Sequence, residues 1–154
     1  MEFLIQDFIF PIKEEDYKPM SDSNQTIKEP KGFAGLIANV MSPLNENPQF
    51  KKAFKNVSLK ILINATNLNY AAILTIDNGK LIVEGIQNKP KSNLEKKNIG
   101  WNGYVAMDTQ VFLAFATKRL SFVKLGLKVL SGKVKVRGIF KLLVVLKLIK
   151  ILTS

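Results

Sequence analysis

Residues 101–152 read WNGYVAMDTQVFLAFATKRLSFVKLGLKVLSGKVKVRGIFKLLVVLKLIKIL. Two segments of this stretch are predicted strands, because Trp101 to Met107 is rich in sheet-forming residues and Lys133 to Arg137 alternates valines with basic residues. The last part, Ile139 to Leu152, is apolar almost all round and is predicted to be a helix. A helix that packs on one core needs a single apolar stripe, so we expect something besides the chain's own core to cover this segment.

Two shorter helices are predicted between these strands. The first, Thr109 to Lys118, follows Asp108, whose carboxylate suits the N-cap position. The second, Phe122 to Leu130, ends near Gly132. We interpret Asp108 as a helix cap rather than as a catalytic acid, because the cap geometry accounts for this residue fully.

The upstream half of the chain predicts a hairpin sheet. Val57 to Ile63 has an apolar residue at every second position, which is the period of a strand with one buried face. Tyr70 to Ile76 and Lys80 to Ile86 flank Asp77-Asn78-Gly79, and Asn followed by Gly tolerates the positive φ angles of a tight turn. The next segment, Gln87 to Ile99, is largely polar and is expected to be an exposed connection.

The order of these elements predicts the fold class and the domain boundaries. Two short helices, Phe33 to Met41 and Gln49 to Lys55, precede the sheet, and Asn47-Pro48 supplies a cap and a first helical residue for the second. Strands joined by hairpins and followed by helices indicate an α+β fold. We assign residues 1–31 to an N-terminal arm and linker, and residues 32–154 to one domain.

The composition limits the chemistry available to the chain. Of its 154 residues, 47% are hydrophobic and 23% are charged, which is typical of a globular domain. Cysteine and histidine are both absent, which removes disulfides, thiol nucleophiles and metal sites built on these residues. We therefore expect no catalytic residue, no metal and no cofactor. The N-terminal segment carries Glu2 and Asp7 instead of the positive start of a signal peptide, so we expect a cytoplasmic protein.

The net charge of +11 is concentrated in the second half of the chain. Residues 1–88 carry 9 basic and 10 acidic residues, whereas residues 89–154 carry 14 basic and 2 acidic residues. Lysines mixed with exposed apolar residues suit an anionic membrane surface or acidic lipid headgroups. The same charge excess also aids solubility on any fold, and this simpler interpretation stays open.

Nucleic acid binding is a weaker interpretation of the same charge. Trp101 and Tyr104 beside a lysine-rich strand combine stacking surfaces with phosphate contacts. However, only two of the 23 basic residues are arginine, and the aromatic residues lie mostly on apolar faces. We expect no nucleic acid partner.

The terminal helix carries two apolar groups. Its predicted core stripe lies on one face at about 100° per residue and consists of Leu142, Val145, Leu146, Ile149 and Leu152. The second group is interleaved with lysines and consists of Phe140, Val144, Leu148 and Ile151. The helix is too short to span a membrane, because its 14 residues rise only about 21 Å against a hydrocarbon core of about 30 Å. Together with aromatic residues on the preceding helices, the second group forms either a solid core or the lining of an apolar pocket.

Three motifs follow one another in a recognisable order. MDTQVFLAFATKR occupies residues 107–119, GKVKVRG occupies residues 132–138, and the apolar helix follows. This arrangement resembles the sterol carrier protein-2 domain, and LNENPQFKKA at residues 44–53 is similar to the first-helix segment of its free-standing prokaryotic members. The chain departs from the family pattern at Lys118, where the family usually has glycine, and at Ile139.

The resemblance implies a five-stranded, largely antiparallel sheet covered on one face by helices, with an apolar tunnel between the two layers. Members of this family bind fatty acids, fatty acyl thioesters, sterols or phospholipids without transforming them. We therefore predict non-catalytic binding and transfer of a lipid or fatty acyl ligand. A regulatory or scaffold subunit that presents a hydrophobic pocket to a lipid-metabolising enzyme is the alternative, and the oligomeric state is left open.

The predicted ligand contacts are apolar residues of the second half of the chain: Trp101, Phe112, Phe115, Phe122, Leu125, Phe140, Leu143, Val144 and Leu148. The predicted contacts to a lipid headgroup or to a membrane surface are Lys141, Lys147 and Lys150.

Overall fold

A five-stranded sheet forms the centre of the molecule. The computed structural model describes residues 30–117 and 119–152, apart from the side chains of residues 116, 122 and 139–142. The arm predicted over residues 1–31 therefore lies outside the described residues, except for Pro30 and Lys31. The strands are β1 (Ser58–Ala65), β2 (Tyr70–Asp77), β3 (Lys80–Gln87), β4 (Gly103–Met107) and β5 (Lys135–Arg137).

The strand order in the sheet is β3-β2-β1-β4-β5. Three of the four neighbouring pairs are antiparallel, and only β1 and β4 are parallel. The parallel pair requires a crossover, which the β2–β3 hairpin and the segment after it provide. Asn78 and Gly79 adopt positive φ angles of 47° and 77° at the tip of this hairpin, as the Asn-Gly sequence predicts.

Six α-helices surround the sheet in the described part of the chain. They are α1 (Phe33–Met41), α2 (Pro48–Ala53), α3 (Lys96–Ile99), α4 (Thr109–Ala116), α5 (Phe122–Leu130) and α6 (Ile139–Leu152). The α+β class and the five-stranded, largely antiparallel sheet are thus confirmed. The predicted bounds of α1, α5 and α6 agree with the structure, whereas α4 ends at Ala116 and β4 begins at Gly103.

Polar side chains cap the beginnings of α2 and α4, as Ser121 does for α5. The Asn47 side chain accepts hydrogen bonds from the backbone N–H groups of Gln49 and Phe50, at 2.8 and 3.2 Å, before α2. The Asp108 carboxylate accepts one from Gln110, at 2.7 Å, before α4. Both residues are N-caps, as predicted.

The main hydrophobic core lies between one face of the sheet and the helices. The pleat points alternate residues of β1 to this side, among them Leu59, Ile61 and Ile63. Phe33 and Ile37 of α1 and Val144 and Leu148 of α6 pack against it. Helices from both ends of the described chain therefore share one core on a single face.

The opposite face of the sheet carries a smaller apolar cluster. It contains buried residues of the sheet and of the segment that leads to β4, namely Leu62, Ala71, Ile73, Leu94, Ile99 and Trp101. The prediction that Gln87 to Ile99 is an exposed connection agrees with most of its residues but is wrong for Leu94 and Ile99. Its two apolar residues Leu94 and Ile99 fold back onto the sheet, because a 3-10 turn at Lys91–Leu94 and the short helix α3 bring them there.

Candidate apolar binding site

The candidate site lies on the helix-facing side of the sheet, under the three C-terminal helices. Strand β4 contributes Val105 and Met107, and the edge segment at β5 contributes Val134 and Val136. Alternate strand residues share one face, so these four side chains point to the same side as the core residues of β1. They form the floor of the site.

Helix α4 places aromatic rings over this floor. Phe112 and Phe115 are both buried, and their spacing of three residues puts them on one face of the helix. The Phe112 ring meets Phe33 of α1 edge to face, with a centroid distance of 5.2 Å and an interplanar angle of 81°. This is a favoured arrangement of aromatic rings, and it connects α4 with α1 above the sheet.

The described side chains of helix α5 pack on the core through one face. Leu125 and Val129 contact the core cluster and are half-buried. The backbone N–H of Val134 donates to the carbonyl oxygen of Lys128 at 3.1 Å, so the end of α5 is joined directly to the segment that enters β5. This bond holds α5 beside the edge of the sheet.

Helix α6 closes the layer, but with the opposite stripe to the predicted one. Val144, Leu148 and Ile151 are buried, whereas Val145 and Leu152 only reach partly into the core. The predicted core stripe is therefore wrong, and the buried face of the helix is the one that carries Val144, Leu148 and Ile151 of the second apolar group. The period of a helix identifies both stripes, but it does not choose between two apolar faces.

The structure brings together four of the predicted ligand contacts. Phe112, Leu125, Val144 and Leu148 belong to one cluster, and Phe115 is buried on the same helix as Phe112. Leu143 is 42% exposed and does not belong to this cluster. The side chains of Phe122 and Phe140, also predicted contacts, lie outside the described residues.

Trp101 is not brought to this site. Its ring is in the cluster on the opposite face of the sheet, 5.5 Å from Tyr104 between ring centroids. The Nε1–H group donates to the carbonyl oxygen of Leu94 at 3.0 Å, and the ring is only 8% exposed. Trp101 therefore has a structural role, and its burial also leaves it unsuited to stacking on the bases of a nucleic acid.

The lysines predicted to meet a headgroup are placed differently from one another. The Lys147 ammonium lies over the Phe54 ring, 5.4 Å from the ring centroid, which is the geometry of a cation–π contact. Lys150 is exposed on α6. The side chain of Lys141 lies outside the described residues.

The surroundings of the site are apolar. Among the described side chains, the buried polar ones are Asn64 and Asn88, and neither belongs to the helix-facing cluster. The same residues contain no group of three or more acidic side chains arranged to hold a metal ion. No helix in the described ranges is both long and apolar enough to cross a membrane.

Some residues of the site were not predicted from the sequence. Phe33, Met107 and Val134 belong to the same cluster as the predicted contacts. For Met107 and Val134 the signal was present, because each continues the apolar alternation of a strand. The sequence contains no such signal for Phe33, since its contact with Phe112 depends on how α1 packs across the sheet.

Comparison with known proteins gave matches among solved structures only. No family model matches the chain, and no curated protein matches it. The chain is similar to the UbiJ-SCP2 ubiquinone synthesis protein. This match covers 79% of the chain and 93% of that protein, with 17% sequence identity and a TM-score of 0.49.

A second match is partial. The stereoselective inverting sec-alkylsulfatase Pisa1 from Pseudomonas sp. matches 62% of the chain with 19% identity and a TM-score of 0.42. The match covers 13% of that much longer enzyme.

Proposed function

We propose that this protein binds a lipid or fatty acyl ligand between the sheet and its C-terminal helices, and transfers it without chemical change. The observation that carries the proposal is the apolar layer built by β4, α4, α5 and α6, whose clustered side chains are all apolar. A hydrocarbon chain is stabilised in such surroundings by about 0.8 kcal/mol for each methylene removed from water.

The proposed position of the ligand is under α4 and α5. Among the described side chains, those by which these two helices reach the core are few, chiefly Val111, Phe112, Phe115, Leu125 and Val129. Elements with few buried contacts separate from a core at the lowest cost in free energy. An acyl chain that enters between these helices and the sheet therefore displaces the fewest internal contacts.

The proposed contacts are those predicted residues that face this layer. Phe112, Phe115 and Leu125 would meet the ligand from above, and Val144 and Leu148 from the side of α6. Phe122 and Phe140 remain proposed contacts on the same helices. Lys141 and Lys150 are the proposed partners of an acidic headgroup, and the proposed place of action is the cytoplasm.

Binding to delipidated protein tests the proposal. We expect palmitate to displace a fluorescent fatty acid from the full chain at about micromolar concentration, because the burial of an acyl chain of about 12 methylenes contributes on the order of 10 kcal/mol before ordering costs. Native mass spectrometry should show one bound acyl ligand. If neither method detects uptake of any acyl ligand at micromolar concentration, the proposed function is wrong.

A matched pair of variants locates the ligand. Leu125→Gln changes a half-buried residue of the layer, and Leu113→Gln changes a residue of α4 that is 41% exposed. We expect the first to weaken palmitate binding by about tenfold, since the loss of about 1.4 kcal/mol of apolar contact corresponds to that factor. The second should leave the affinity unchanged. Equal affinities for the two variants would contradict the proposed location.

A further inference from the structure

Helix α5 presents a second apolar face, which points away from the core. Val123, Leu127 and Leu130 are 74%, 60% and 85% exposed. Their spacing of four and three residues places them on one side of the helix. We call these three side chains the α5 ridge. It is distinct from the face of Leu125 and Val129, which packs against the core cluster.

Basic residues lie beside the α5 ridge. Lys124 and Lys128 lie next to the ridge around the helix, and the exposed Lys133 is the third residue after the helix ends at Leu130. Lys133 is held there because the next residue, Val134, donates its N–H to the Lys128 carbonyl at 3.1 Å. The ridge is therefore bordered by positive charge along one side.

No acidic residue offsets this charge in the same part of the chain. Residues 109–154 contain ten lysines and arginines and neither aspartate nor glutamate. A surface that combines exposed aliphatic residues with lysines is complementary to an anionic lipid bilayer, which offers an apolar interior beneath phosphate groups.

We propose that the α5 ridge is a membrane-docking surface, which inserts Val123, Leu127 and Leu130 into an anionic bilayer while Lys124, Lys128 and Lys133 contact the phosphates. The surface does not depend on the interior ligand site, because none of these six residues belongs to the proposed ligand contacts.

Charge complementarity favours a bilayer over the other occupants. In a symmetric dimer of this chain, the same surface patch meets its own copy, so two rows of lysines would face each other without an acidic partner. Nucleic acid would satisfy the lysines but not the ridge, because aliphatic side chains offer no ring on which bases stack.

Co-sedimentation of the full chain with vesicles tests the proposal. We expect binding to vesicles of phosphatidylglycerol and phosphatidylcholine mixed equally, and much weaker binding to pure phosphatidylcholine. Leu127→Ser/Leu130→Ser should weaken binding to the mixed vesicles at least about tenfold. The matched control is Leu36→Ser/Val40→Ser, which changes exposed apolar residues of α1 and should bind as the unmodified chain does.

The contribution of the lysines is measured separately. Lys124→Gln/Lys133→Gln should weaken binding to the mixed vesicles by about fivefold for each lysine removed, and added salt should reduce this difference. Circular dichroism should show that all these variants fold, since every substituted residue is exposed. Palmitate should displace the fluorescent fatty acid from Leu127→Ser/Leu130→Ser at the same concentration as from the unmodified chain. This result would show that the α5 ridge is separate from the interior site.

Three results would overturn the proposal. The first is equal vesicle affinity for the ridge variant and the α1 control. The second is equal affinity of the unmodified chain for neutral and anionic vesicles. The third is a concentration-dependent dimer that Leu127→Ser/Leu130→Ser converts to a monomer while the unmodified chain binds no vesicle, which would assign the ridge to a second copy.

Discussion

At the scale of single residues, Gly138 shows how closely the entry to α6 approaches the sheet. This residue has a φ of 70°, and a Cβ atom added to it would lie within 3.4 Å of three backbone atoms of Asn102 and Gly103. Both the left-handed conformation and the contact disfavour any side chain here. Glycine at this position therefore allows the chain to leave β5 beside β4 and begin α6.

Gly138→Ala is expected to lower the free energy of unfolding by about 2–4 kcal/mol, because strain in the left-handed region adds to a clash with the backbone. Urea denaturation followed by circular dichroism measures the change. Gly100→Ala is the matched control, since Gly100 has a similar φ of 71° but no atom within 4 Å of an added Cβ. It should cost only about 1 kcal/mol, and an equal loss in both variants would show that the contact with Asn102 contributes nothing.

Trp101→Phe tests the structural role of the tryptophan. The variant loses the hydrogen bond from Nε1 to the Leu94 carbonyl, and we expect the free energy of unfolding to fall by about 1–3 kcal/mol. Palmitate affinity should not change, because the ring lies on the face of the sheet opposite to the proposed ligand site. If folded Trp101→Phe binds palmitate more weakly than the unmodified chain does, Trp101 contributes to the ligand site.

At the scale of secondary structure, the beginning of α4 depends on its cap. Asp108→Ala should lower the free energy of unfolding by about 1 kcal/mol, because the N–H of Gln110 loses its acceptor. Asp108→Asn should retain nearly full stability, since asparagine caps helices as well as aspartate does. Thermal unfolding of the two variants measures the difference. If both lose stability equally, the negative charge of Asp108 rather than its cap hydrogen bond stabilises the helix.

The elements were largely predictable from the sequence, because their ends are encoded locally. Asn47 and Asp108 cap their helices, and Asn78-Gly79 makes the hairpin turn. The face on which a residue lies was harder to predict where no polar residue distinguishes the two sides. In α6, Val144 and Val145 are equally apolar, and only tertiary contacts determine that the first of them is buried.

Trp101 was misplaced for a related reason. Alternation would put it on the side of Val105 and Met107, but alternation holds only within a strand, and β4 begins at Gly103. Asn102 precedes the strand and exchanges two hydrogen bonds with the Lys60 backbone, both at 2.7 Å, one through its side-chain oxygen. The chain bends there, and Trp101 turns to the other face.

At the scale of the whole molecule, the uneven charge should make stability depend on salt. The ten basic residues after Asp108 repel one another without a compensating acid in the same segment. Raising the ionic strength from about 0.01 to about 0.15 M shortens the screening length from about 30 to about 8 Å. We expect the midpoint of thermal unfolding to rise by about 2–4 °C, measured by differential scanning calorimetry.

A variant with less charge serves as the control for this prediction. Lys135→Gln removes an exposed lysine of β5. At low salt, the midpoint of thermal unfolding of this variant should therefore be higher than that of the unmodified chain, and it should rise less as salt is added. A midpoint that stays constant or falls with added salt would show that repulsion within the C-terminal segment does not limit stability.

The position of α6 in the chain order bears on how the protein matures on the ribosome. Strands β1, β2 and β3 form two neighbouring hairpin pairs and leave the ribosomal exit tunnel well before α6 does. Until α6 has been translated, Ile61, Ile63 and the other core residues of the sheet lack the cover of Val144 and Leu148. Exposed apolar sheet surfaces in nascent chains aggregate or recruit chaperones. A ribosome that stalls between β5 and α6 should therefore hold a nascent chain whose apolar sheet face is uncovered, and such a chain is prone to aggregate or to bind chaperones.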